Sequence, residues 1–112
     1  MPNGSRFPTR VASLHNTVVL IGGSGRIQQL VGQATLAASG GRVVRVELKH
    51  AATLCAEERP YAIVVAEELY DFGGAELDAL ARDLNAGLVV APDSVALPVL
   101  TALLQEEAVR LG

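Results

Sequence analysis

The chain is predicted to form one α/β domain in three layers, with helices on both faces of a parallel sheet of about four strands. Three observations carry this expectation. From Thr17 onward, short runs rich in Val, Ile and Leu alternate with segments whose apolar residues fall at helical spacing. Half of the residues are hydrophobic but only 4% are aromatic, so the core is aliphatic, as suits a sheet buried on both faces. Glycine or proline punctuates the segment boundaries, at Gly22, Gly40-Gly41, Pro60, Gly87 and Pro92. A length of 112 residues accommodates one such domain and not two.

Residues 1–16 are polar and broken by Asn3, Gly4, Ser5 and Pro8, and are expected to form a flexible N-terminal arm, with Val11–Leu14 as a candidate short strand. The domain proper is placed at residues 17–112. Its first strand is Thr17–Ile21, followed by Gly22-Gly23-Ser24-Gly25 and a helix with Ile27, Leu30, Val31 and Ala34 on one face. Gly40-Gly41 end that helix. The second strand, Arg42–Glu47, mixes charge with Val and reads as a sheet edge. A short helix follows from about His50 to Glu58, stopping before Pro60. The third strand, Ala62–Ala66, is apolar throughout and therefore central. An acidic loop leads to Gly73-Gly74, which open a helix carrying Leu77, Leu80 and Leu84. Gly87 precedes the fourth strand, Leu88–Ala91. Pro92-Asp93-Ser94 make a loop with Ser94 as N-cap of a last helix running to about Arg110, where Pro98 is tolerated in the first turn. Right-handed crossovers and this element order give a flavodoxin-like sheet in the order 2-1-3-4.

Composition narrows the function. A net charge of −3, a pI near 5.3 and nine scattered basic residues argue against nucleic acid as a partner. The single Cys55 has no intramolecular disulfide partner, the opening residues lack a signal-peptide apolar core, and no apolar run reaches membrane-spanning length. A cytoplasmic protein without membrane association is expected.

In open α/β sheets, ligands bind beyond the carboxyl ends of the strands, which directs attention to Tyr61–Leu77. There an apolar strand runs into Glu67-Glu68-Leu69-Tyr70-Asp71-Phe72-Gly73-Gly74. This stretch resembles the third strand and following loop of bacterial response-regulator receiver domains, with Gly74 matching their loop glycine. The resemblance covers roughly Thr17 to Ala91. It places Ala66 where the family carries its phospho-accepting Asp, and Gly22 and Gly23 where it carries the acidic pair that holds Mg²⁺. The family's Thr or Ser falls near Ala91, and its Lys lies beyond the fourth unit, after which this chain ends. The resemblance therefore implies a degenerate receiver-like domain, truncated after its fourth βα unit and unable to be phosphorylated. Such a domain is expected to be no enzyme, to need no cofactor or metal, and to serve as a protein-interaction module in bacterial signalling or localisation. Glu67 and Glu68 stand one and two residues past the vacant Asp position, where a solvated acidic loop accounts for them.

A fourth strand left at an edge, and a sheet face deprived of its second helix, would expose apolar area unless the arm or the last helix covers it. Exposed apolar area drives association at about 25 cal/mol per Å². A homo-oligomer, most simply a dimer, is therefore expected. Two interaction surfaces follow: the fourth-strand edge with the last helix (Leu88, Val90, Leu97, Leu100, Leu104), and a loop rim of Leu69, Tyr70 and Phe72.

The segment Val18–Ile27 supports a rival reading. It resembles the opening of short-chain dehydrogenase/reductase domains, where a strand enters a Gly-x-x-Gly-x-Ile-Gly turn under a dinucleotide pyrophosphate. Gly22, Gly25 and Ile27 fit, while Gln28 replaces the third glycine and is expected to crowd helix against strand. On this reading Gly22, Gly23 and Gly25 approach the phosphates and Glu47 bonds a ribose. The family's Tyr-x-x-x-Lys pair is missing, since Lys49 precedes both Tyr61 and Tyr70. Other constellations fail on spacing. Arg26 occupies the last position of a Gly-x-Ser-x-Gly elbow, no Gly-Lys-Ser/Thr phosphate loop is present, and His50 and Cys55 point to different helix faces.

Overall fold

A computed structural model describes residues 16–111. The arm expected over residues 1–16, Asn16 apart, and the candidate strand at Val11–Leu14 lie outside the described residues. The sheet is α/β and wholly parallel, with strands β1 (Thr17–Ile21), β2 (Arg42–Val46), β3 (Ala62–Ala66) and β4 (Gly87–Ala91) in the order β2-β1-β3-β4. This is the predicted flavodoxin-like arrangement. Four α-helices connect and cover the strands: α1 (Gly25–Ser39), α2 (Ala51–Glu58), α3 (Glu67–Leu84) and α4 (Leu97–Leu111), with a 3₁₀ turn at Leu48–His50 before α2.

Strand composition matches strand position. Every residue of β1 and β3 is buried, as central strands covered on both faces require, whereas β2 exposes Arg42 and Arg45. Side chains alternate between two cores, as the strand period demands. On one face Val18, Leu20, Val64 and Val89 meet α1 and α4, and on the other Val19, Ile21, Ile63 and Val65 meet α2 and α3.

Three expectations are corrected. The stretch after β3 is helix rather than loop: α3 starts at Glu67, directly after the strand, and Gly73 marks a kink within it (φ −128°, ψ 27°). Glu67 and Glu68 fill the first turn, where carboxylates favour the positive end of a helix dipole. Ser94 does not cap α4. That helix begins at Leu97, with the Leu100 amide bonded to the Ala96 carbonyl, and Ser94 lies in a turn closed by Val95 N–H to Pro92 O at 3.0 Å. Finally, the face shared with α1 is not bare. Helix α4 covers it, burying Leu100 and Leu104 completely and packing Leu97 against the same core. Leu100 and Leu104 are core residues, so they form no interaction surface, and an uncovered face supplies no drive to dimerise.

Candidate functional site

The crevice where strand order reverses lies beyond the carboxyl ends of β1 and β3. Ile21 and Val65 are in register there, so the next residues, Gly22 and Ala66, come together. A Cβ built on Gly22 would lie 3.8 Å from that of Ala66. The structure thus brings Gly22 and Ala66 side by side. The space is filled by a hydrocarbon: a Cβ at Gly22 would collide with Leu69 Cδ1. Leu69, from the first turn of α3, reaches over the β1–α1 turn because α3 begins without a loop.

The turn itself is built by positive φ, +73° at Gly22 and +93° at Gly23, which L side chains adopt only under strain. It delivers Ser24 as N-cap of α1, its Oγ accepting from the Ile27 amide at 3.3 Å. The same hydroxyl donates to Asp93 Oδ1 at 2.9 Å. Arg26 reinforces this link, donating to the carbonyls of Asp93 and Val95, the latter at 2.8 Å. The β1–α1 and β4–α4 connections are therefore fastened together, and a carboxylate stands next to the α1 N-terminus. Gln28 is exposed and does not crowd the helix against its strand, which corrects that expectation.

Gly22 and Glu47, assigned to dinucleotide binding, share the edge of a shallow depression of about 460 Å³ with Arg45, Leu48 and Leu69. Arg45 donates to the Gly23 carbonyl at 3.4 Å, and Glu47 lies 3.9 Å from Lys49 in an exposed ion pair. Gly25 stands apart on the first turn of α1, where an added methyl would meet nothing within 4 Å.

The expected rim of Leu69, Tyr70 and Phe72 separates into three environments on α3. Leu69 packs into the core and covers Gly22. Tyr70 is half-buried, its hydroxyl donating to both Asp78 oxygens at 3.0 and 3.2 Å, and the carboxylate raises the phenol's pKa. Its ring lies over Gly74, where a Cβ would approach Tyr70 Cζ to 3.0 Å. Phe72 alone is a surface residue, 87% exposed, beside a groove of about 350 Å³ between α2 and α3. Leu88 and Val90 on β4 are half-buried against the core that the sheet shares with α2 and α3.

Chemistry is sparse elsewhere. Cys55 is fully buried, and desolvation pushes its thiol from 9.0 up to about 11, so it behaves as a small apolar residue while His50 is exposed. Among the described residues no three His, Cys, Asp or Glu side chains are grouped to hold a metal, and no helix is long and apolar enough to cross a membrane. Sequence reasoning missed the roles of Arg26, Asp93 and Tyr61. The first two are polar loop residues without a motif, and Tyr61 is fully buried, its hydroxyl paired with Ser39 at 3.0 Å. Comparison with known proteins gives no match to a family model, a curated protein or a solved structure.

Proposed function

We propose that the protein is a receiver-like scaffold that cannot accept a phosphoryl group and works as a protein–protein interaction module, self-associating, in signalling or localisation within the bacterial cytoplasm. One observation carries the reading: at the crevice where phosphotransfer chemistry would sit, Gly22 and Ala66 meet under Leu69, Gly23 follows against Ile27, and no carboxylate is among them. A phosphoryl group needs a nucleophile and a Mg²⁺ site of oxygen ligands, and these side chains supply neither. With that crevice filled by a leucine methyl, surfaces rather than a catalytic centre are what the fold has to offer.

Incubation with acetyl phosphate and Mg²⁺, read by intact mass, is expected to leave the protein unmodified. A gain of one phosphoryl group on any Asp, Glu or His would overturn the reading.

Dinucleotide binding is the second reading, favoured by the meeting of Gly22, Arg45 and Glu47 around one depression. Against it, the Asp93 carboxylate held by Ser24 stands where a pyrophosphate would approach α1, and like charges repel in a desolvated contact. The preferred reading therefore expects no thermal stabilisation by NAD or NADP.

A further inference from the structure

The two edges of the sheet are built differently. The β2 edge carries exposed Arg42 and Arg45, which discourage pairing with another strand, whereas β4 reads Gly-Leu-Val-Val-Ala without a charge or a proline. Its phase is fixed by one bond: the Gly87 amide donates to the Tyr61 carbonyl at 3.0 Å, with Gly87 in register with Ala62. In a parallel ladder, alternate residues bond to a given neighbour. Gly87, Val89 and Ala91 therefore direct their N–H and C=O groups to β3, while Leu88 and Val90 direct theirs to the sheet edge, beside which no strand lies among the described residues.

We infer that β4 is a strand-pairing site whose partner is the β4 of a second copy of this chain, joined antiparallel about a two-fold axis at Val89 to make one continuous eight-stranded sheet. This rests on the self-association reading above and names its surface. The phase is what makes the strand self-complementary. An axis at Val89 sets Leu88 opposite the partner's Val90, and both present outward backbone groups, so each such pair exchanges two hydrogen bonds. Val89, bonded inward, meets the partner's Val89 as the closer non-bonded pair. Faces match as well. Leu88 and Val90 lie on the α3 side of the sheet and Val89 on the α4 side, so the cross-strand contacts are apolar on both faces.

Charge selects the antiparallel direction. Arg110 is held at the amino end of β4 by Asn85, through Oδ1 at 3.3 Å and the backbone carbonyl at 3.4 Å, and is ion-paired there with Glu107 at 2.8 Å, while Asp93, bonded by Ser24, follows the carboxyl end. Antiparallel pairing brings the neutral Arg110–Glu107 pair to the end that carries the partner's Asp93 and keeps the two Asp93 carboxylates apart. Parallel pairing would instead set Asp93 beside its own copy.

Sedimentation and native mass spectrometry over a concentration series test this with wild type, Val90→Pro and Leu88→Lys. Val90→Pro removes an outward N–H and no bond to β3, a position where an edge strand accepts proline. Leu88→Lys adds an edge charge and decides the question if the proline variant does not fold. The expected result is a concentration-dependent wild-type dimer and monomeric variants that still melt cooperatively. A dimer that persists in folded variants would overturn the β4 pairing and leave self-association through another surface. A wild type that stays monomeric throughout would overturn both the pairing and the self-association, while the vacancy of the phosphoryl site would still stand on its own test.

Discussion

Thr35 on α1 is fully buried, and its hydroxyl is the one buried side-chain polar atom among the described residues without a hydrogen-bond partner. Burying an unpaired hydroxyl costs about 1–3 kcal/mol, whereas an apolar group of the same shape costs nothing of the kind. Thr35→Val is therefore expected to raise stability by about 1 kcal/mol, read as a higher denaturation midpoint at unchanged slope. A lower midpoint would show that the hydroxyl has a partner in solution. The candidate site also turns on single residues. Ala66 and Gly22 carry no polar side chain, and Leu69 closes the space between them. That Gly22 and Ala66 lack polar side chains was legible in the sequence, but the closure by Leu69 was not, because it depends on where α3 starts.

At the scale of elements, α2 ends with Arg59 in the left-handed region (φ 49°), its amide bonded to the Cys55 carbonyl, while α1 ends with Gly40 in the same conformation (φ 69°). A Cβ in that region costs roughly 1 kcal/mol that glycine does not incur. Because Arg59 is exposed and has no ion pair among the described residues, Arg59→Gly is expected to stabilise the fold by up to about 1 kcal/mol in chemical denaturation. A loss of stability would mean that glycine's greater unfolded-state freedom dominates. The strands, their order and the apolar helix faces were readable because period and composition agree in each. The starts of α3 and α4 were not. Gly73 does break the helical backbone, as a helix opening at Gly73-Gly74 requires, but a first helical segment from Glu67, held by the packing of Leu69 and Tyr70, precedes it. Ser94 has the chemistry of a cap but is spent in a turn, with Arg26 and Ser24 holding the neighbouring Asp93 and Val95.

For the whole molecule, a sequence shows that a helix has an apolar face without showing which surface that face will cover. Leu97, Leu100 and Leu104 read equally well as an interface and as a core, and α4 resolves them by folding onto its own sheet beside α1. That moves the case for association from a bare helix-facing surface to the backbone edge of β4. On the pairing proposed above, the driving groups are the outward N–H and C=O of Leu88 and Val90, beside which no further strand lies among the described residues, supported by apolar side chains. Amide hydrogen exchange measured as a function of protein concentration tests this most directly. Pairing through β4 predicts that the Leu88 and Val90 amides gain protection as concentration rises, while exposed amides of β2 at the opposite edge do not change. Leu88 and Val90 amides that exchange equally fast at every concentration would contradict it.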